Sequence, residues 1–421
     1  MTENTSILND AELDFIPRSD AEVKNHKNPP VLLLTWEFPP NIVGGLARHC
    51  YGLAKSLVKQ NCQVHVITTK LHNTSSFELV DGINVHRITP FHEQESNFLT
   101  WVAGLNLAMI DKVKELSKHH QFSLIHAHDW LVGTSGLILS KELNIPLIAT
   151  IHSSEHGRNN GIYTDTQTFI DKKERELING ADQLIVCSEY MREELQQVFT
   201  IDQKEMAVIA NGIDLDSTKM SYIDKNKDLP LDSNKRLIFS IGRLVREKGF
   251  DTIIDAAPTL LEKYPDIYFV IAGKGPMYSE LEQKIKEYGL EKSVFLVGYV
   301  DDEARNLLFR SCELSVFPSL YEPFGIVSLE SMILGKPTIV SKTGGLKGIV
   351  DHMKAGLFMT PGDKESLIEQ VQFLLEHKVQ ANKLGEKGKE ACERLFSWQR
   401  IGLETKRVYE ETLYRFKKVM P

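Results

Sequence analysis

Two doubly wound α/β domains in tandem are the fold this chain predicts, and three observations predict it. Short apolar runs rich in Val, Ile and Leu alternate with amphipathic segments, a polar and charged stretch interrupts the alternation near the middle, and the alternation then restarts. A length of 421 residues suits two or three domains, and 42% hydrophobic residues are ample for their cores.

In chain order, residues 1–28 form a polar extension, and 29–213 form the first domain. Its strand-length runs are VLLLT (31–35), VHVITT (64–69), SLIHAH (123–128), PLIATIH (146–152), QLIVCS (183–188) and MAVIA (206–210). Within FELVDGINVHRI, Asp81-Gly82 signals a hairpin. Residues 214–235 are polar and charged and read as a linker. The second domain, 236–397, carries RLIFSIG (236–242), YFVIAG (268–273), SVFLVG (293–298), LSVFPS (314–319) and PTIVS (337–341). Residues 398–421 close the chain. Ligands of such sheets bind at the carboxyl ends of the strands, so chemistry is expected in the loops after these runs and in the cleft between two such domains.

Composition excludes several classes. A net charge of −8 with no long basic run argues against nucleic acid as the main partner and offers no polybasic membrane anchor. Five scattered cysteines (Cys50, Cys62, Cys187, Cys312, Cys392), none in a C-x-x-C pair, indicate neither a disulfide framework nor a thiolate metal site. A reducing cytoplasm fits best. The first residues are acidic where a signal peptide would be basic, and no apolar run approaches the roughly 18 residues of a membrane span. Peripheral membrane contact and oligomeric state stay open.

The most informative segment is SLYEPFGIVSLE (319–330), where Glu322 and Glu330 form an E-x7-E pair on the front of a predicted helix. Eight helical steps separate the two carboxylates by about 12 Å along the axis. Glycosidase carboxylates stand about 5 to 9.5 Å apart, so this pair suits opposite ends of a long ligand, such as a sugar nucleotide, better than hydrolysis. A solvated helix-start acid is the plainer reading of Glu322. After the first strand, Gly44-Gly45 precede a helix running through Leu57, where close backbone approach and free N–H groups suit an anion, although a tight turn explains a glycine pair as well. After Ile241 come Gly242, Arg243 and Lys248, the last at the start of the next helix. Cations there are disfavoured unless an anion arrives, which points to a diphosphate.

Other segments argue by exclusion. GKG (273–275) lacks the spacing of a dinucleotide fingerprint, and a full Walker A pattern is absent. His126 and His128 in HAHDW have no evident third ligand nearby, so structural or substrate-orienting roles are expected of them and no metal site is. His152, at a strand end, is either a satisfied core histidine or a cleft residue.

Together GGLARH (44–49), HAHDW (126–130), TIHSSE (150–155), GRLVREKG (242–249) and the E-x7-E segment resemble the retaining GT-B glycosyltransferases of the glycogen synthase and sucrose synthase superfamily, in a match running from about Val31 to Phe396. The resemblance implies two facing Rossmann-like domains with an interdomain cleft, the second holding the donor nucleotide, and a C-terminal helix at about 398–416 packing back on the first. It implies that Arg243 and Lys248 neutralise the leaving diphosphate, that Glu330 binds the ribose, and that Glu322 with the amides of Phe324 and Gly325 holds the transferred sugar. His152 would stand beside that sugar, Gly45 would donate to the phosphate, and Tyr299 and Val300 would contact the base. Asp129 and Glu155 are acceptor-side or structural candidates.

One departure is Ile42, where the glycogen synthase form of the first motif has Lys. The implied reaction moves a hexosyl unit from a nucleoside-diphosphate sugar, ADP- or UDP-glucose, to an α-glucan or another hydroxyl acceptor on a lipid, a small metabolite or a surface polysaccharide. It needs no cofactor or metal. Donor and acceptor identity would depend on loops around 70–100 and 153–166. A sugar-nucleotide epimerase of the same architecture and a non-catalytic sugar-nucleotide sensor are the competing classes.

Overall fold

A computed structural model describes residues 30–91, 97–201, 206–214, 230–232, 234–351 and 354–419. The extension at 1–28 and most of the linker at 214–235 therefore lie outside the described residues. The chain divides into two compact units, one comprising Met1–Gly212 with Trp398–Pro421, the other Ile213–Ser397.

The first unit is built on an eight-stranded sheet. Its strands are β1 (Val31–Leu34), β2 (Val64–Thr69), β3 (Phe77–Val80), β4 (Ile83–Ile88), β5 (Leu124–His128), β6 (Leu147–Ile151), β7 (Gln183–Val186) and β8 (Met206–Val208). They lie in the order β3-β4-β2-β1-β5-β6-β7-β8, parallel except for the β3–β4 pair. The expected hairpin is that antiparallel pair. Asp81 and Gly82 both take positive φ (51° and 81°), as a type I′ turn requires.

Helix α1 (Gly45–Lys59) buries Ala47, Cys50, Leu53, Ala54 and Leu57, an i, i+3, i+4 stripe that joins the core with Val31, Leu33, Val64 and Leu124. The last helix, α14 (Trp398–Val419), lies against α1. A Cβ on Gly52 would stand 2.1 Å from the Trp398 ring, and Ser56 Oγ donates to the Trp398 carbonyl at 2.6 Å.

The second unit is a six-stranded, wholly parallel sheet. Its strands are β9 (Arg236–Ile241), β10 (Ile267–Ala272), β11 (Val294–Gly298), β12 (Cys312–Phe317), β13 (Thr338–Ser341) and β14 (Leu357–Met359), in the order β11-β10-β9-β12-β13-β14. Strand β14 is three residues long and falls outside the apolar runs read above. The core joins the inward faces of β9, β10 and β12 to helices α7 (Asp251–Lys263) and α12 (Lys364–Glu376).

Each sheet has one point where the strand order reverses: β1 is flanked by β2 and β5 in the first, β9 by β10 and β12 in the second. Loops leaving adjacent strands there run in opposite directions and open a crevice at the carboxyl ends. The chemistry-bearing motifs lie at these two points.

Candidate functional site

In the second unit, the loop after β9 carries Arg243 and a short 3₁₀ turn, Arg246–Lys248; the loop after β12 carries Ser319 to Gly325. Gly249 lets the two loops touch. Its φ is +63°, and a Cβ there would meet the Pro318 carbonyl oxygen at 2.3 Å. The N–H groups of Leu320 and Tyr321 donate to the Glu247 carbonyl at 2.8 and 3.2 Å, completing the crossing. As a result Lys248 Nζ reaches the buried carboxylate of Glu322 at 2.5 Å, and Ser319 Oγ donates to the same Oε2 at 3.2 Å.

Arg243 is half-exposed and lies 3.6 Å from Glu247. Both cations thus have carboxylate neighbours within the chain, and Lys248 sits in the 3₁₀ turn, three residues before α7 begins at Asp251. The expectation that they are uncompensated charges at a helix start is corrected accordingly.

The E-x7-E segment is also corrected. Glu322 lies in a loop, Gly325 at φ +107° ends that loop, and the helix α10 covers only Ile326–Met332. The separation of about 12 Å, which assumed one continuous helix, does not apply. Among the described residues no protein acceptor takes the N–H of Phe324 or Gly325. Glu330 is buried in α10 and faces Arg305 Nη1 at 3.3 Å, on the preceding helix α9 (Asp302–Ser311).

Tyr299 and Val300, after β11, line an open groove of about 910 Å³ with Tyr278, Asp301 and Ala304. Tyr299 is exposed, and Lys274 Nζ lies 5.8 Å from the centre of its ring.

In the first unit, Glu37 fills the place reserved above for an external anion. Its buried carboxylate accepts from the N–H groups of Val43 (2.6 Å), Gly44 (3.2 Å) and Ala47 (3.1 Å), so the start of α1 already holds one negative charge. The N–H of Gly45 has no protein acceptor among the described residues.

Of the two roles expected of His126, the structural one fits its contacts: its Nδ1 is 2.7 Å from Tyr409 Oη and its Nε2 2.6 Å from Thr150 Oγ1, so both ring nitrogens are engaged inside the fold. His128 is not isolated from further imidazoles, which overturns the reading that no third ligand is near. His128 Nδ1 is 3.1 Å from His152 Nε2, and His49 of α1 completes a group of three whose ring nitrogens lie within 4.8 Å of one another. His49 belongs to GGLARH, and its place four residues into the helix is the signal that could have found it.

Burial holds His49 and His128 well below the ordinary imidazole range and His152 down at about 3. Asp129, at φ +61°, accepts the His152 N–H at 2.7 Å, and burial raises its carboxyl to about 6. Glu155 opens a five-residue helix, α4 (Glu155–Asn159), capped by Ser154. Its N–H donates to Glu174, which burial raises to about 8, and its carboxylate lies 3.6 Å from Arg158. Glu174 and Arg305 carry no motif signal, because each acts through a partner well separated along the chain, Glu155 and Glu330; Glu37 stands before the glycine pair and outside the motif that begins there.

The chain matches the family described as "Glycosyl transferases group 1" over residues 222–391 and "Glycosyltransferase Family 4" over residues 43–217. It is 33% identical over 385 residues to an uncharacterized glycosyltransferase of Methanocaldococcus jannaschii, covering 90% of this chain and 97% of that one. It is 29% identical over 394 residues to the glycogen synthase of Mycobacterium tuberculosis, covering 90% and 94%. Among solved structures, sucrose-phosphate synthase from Thermosynechococcus elongatus superimposes with a TM-score of 0.80 at 24% identity, over 92% of this chain and 100% of that one. No helix among the described residues is long and apolar enough to cross a membrane. The protein belongs to the group 1 glycosyltransferase family and has its GT-B fold of two Rossmann-like units.

Proposed function

We propose that this glycosyltransferase is retaining and moves a hexosyl unit, glucosyl in the first instance, from a nucleoside-diphosphate sugar (ADP- or UDP-glucose) to a hydroxyl acceptor such as an α-glucan. The observation that carries the reading is the contact of Lys248 with Glu322 beside Arg243, at the point where strand order reverses in the second sheet. A carboxylate for a sugar hydroxyl and two cations for a diphosphate stand together there.

In this reading Arg243 and Lys248 face the diphosphate, Glu330 takes the ribose hydroxyls, and Tyr299 and Val300 line the base. Glu322 and the unpaired N–H groups of Phe324 and Gly325 hold the sugar. His152 and the N–H of Gly45 serve the sugar and the phosphate from the first unit's motifs. Asp129 positions His152 through its backbone N–H, and Glu155 is kept for the acceptor side.

As the anomeric C1–O bond breaks, positive charge grows on the sugar and negative charge on the departing phosphate, and preorganised cations stabilise the second. The acceptor hydroxyl attacks C1 from the leaving-group side. Its proton passes to the departing phosphate oxygen, and the α configuration is retained. The positive charge that a metal supplies in other transferases comes here from side chains, so the reaction needs none.

The test is to incubate the purified chain with each donor, with and without a glucan acceptor, and to follow the anomeric proton by NMR. An α-linked product that requires acceptor is expected. A β product would exclude retention, and a changed sugar in the absence of acceptor would favour an epimerase.

A further inference from the structure

We propose that His49, His128 and His152 form a binding site for one divalent transition cation of the zinc class, with three imidazole nitrogens as protein ligands and a fourth position open to water. The site lies wholly within the first unit, and its existence does not rest on the donor-binding reading above.

The three side chains come from α1, the end of β5 and the residue after β6, so a helix and two hydrogen-bonded neighbouring strands fix them. Zinc–nitrogen bonds of about 2.0–2.1 Å place two ligand nitrogens of a tetrahedral ion roughly 3.3 Å apart. His128 Nδ1 and His152 Nε2 are already at 3.1 Å, and one ligand atom from each of the three rings lies within 4.8 Å of the other two.

Hydrogen bonding singles out the same place. Both ring nitrogens of His49 are buried without a hydrogen-bond partner among the described residues, as is the Asn211 side-chain oxygen. Buried polar atoms rarely go unpaired, because each that does carries the full cost of its lost hydration. A bound cation would use one lone pair on each imidazole.

Imidazole ligates in its neutral form, so on binding, the proton shared between His128 and His152 moves to the outer nitrogen of one ring. Three imidazoles without a carboxylate select Zn²⁺, Co²⁺ or Ni²⁺ over Mg²⁺ or Ca²⁺. Of the three rings only that of His152 is not fully buried, and it marks the side from which a cation would enter. If His152 also serves the sugar, as proposed above, cation binding and turnover compete, and micromolar Zn²⁺ would inhibit transfer reversibly; only that consequence depends on the earlier reading.

The experiment uses the full chain freed of metal by chelator and dialysis. Titration with Co²⁺ should give one equivalent bound and the intense visible bands of a four-coordinate site, bleached by one equivalent of Zn²⁺. His49→Gln and His128→Gln, with folding checked by circular dichroism, should each weaken Co²⁺ binding by ~10-fold or more. Absence of the bands in the wild-type chain, or unchanged affinity in both variants, would overturn the site and leave an ordered water as the partner of these nitrogens. Zinc-edge anomalous diffraction from wild-type crystals soaked in Zn²⁺ supplies a readout independent of the variants. A peak among the three rings supports the site; a peak elsewhere, or none, overturns it.

Discussion

Replacing Lys248 with Met keeps the packing of its stem and removes its charge, which separates two roles of that side chain. The Glu322 side chain is 9% exposed, and Lys248 Nζ at 2.5 Å and Ser319 Oγ at 3.2 Å donate to the same carboxylate oxygen. Breaking a fully buried ion pair by removing one partner costs about 3–5 kcal/mol. The Lys248 side chain is 20% exposed and the Ser319 bond survives, so a loss of about 2–3 kcal/mol is expected. Glu322→Gln in the same chain removes the orphaned charge, and the double variant should recover about 1 kcal/mol or more of that loss.

Turnover should not recover. Loss of one preorganised donor to the leaving diphosphate lowers kcat by ~10²-fold or more in both the single and the double variant. Denaturant unfolding followed by fluorescence and by circular dichroism reads the stability, with coincidence of the two probes checking that one transition is measured. Kinetics at saturating donor reads the rate. A Lys248→Met chain of unchanged stability would show that the pair carries no net energy, and a normal kcat with a raised KM would reduce Lys248 to a docking residue.

Three further outcomes are expected. Glu330→Ala should weaken nucleoside-diphosphate binding by about 1.5–3 kcal/mol, the worth of charged hydrogen bonds, and should also lower stability because Arg305 loses its buried partner; calorimetry with unchanged affinity would remove Glu330 from the site. Chelator-treated enzyme should keep most of its transferase rate, and a full loss restored only by Mg²⁺ or Mn²⁺ would refute the metal-free mechanism. His65 and His86, 3.1 Å apart on β2 and β4, are both held down to about 4, chiefly by burial. In the unfolded chain they titrate near 6.5, so between about pH 6.5 and 4 the unfolded state binds more protons. Their stability contribution is full above that window and is lost as pH falls through it, by of order 1 kcal/mol or more for each after allowance for solvent screening. A melting temperature that stays flat from pH 7 to 4.5 in wild type, or a Phe replacement of His86 that leaves its decline unchanged, would count against this account.

Much of the scaffold is legible in the sequence because it is encoded locally. A parallel strand buried on both faces reads as an unbroken apolar run, and β2 occupies the same residues, 64–69, that the pattern marks. Asp81-Gly82 specifies its turn because few residue pairs tolerate two positive φ values in succession. The family also follows from local motifs, since each is a short run readable by itself and five of them occur in order. Strand β14 escapes because three residues make too short a run to stand out from a loop.

What the tertiary structure alone decided is which motif meets which. Lys248 and Glu322 are 74 residues apart, and they touch because β9 lies beside β12 and Gly249 permits the crossing. Glu37 takes the helix start that the glycine pair alone would leave to a ligand, and Arg305 finds Glu330 across two helices. His49, His128 and His152 gather from three elements into one cluster. Periodicity and turn chemistry are properties of a dozen neighbouring residues, whereas strand order, and with it the partner of every buried charge, is set by how the whole sheet packs.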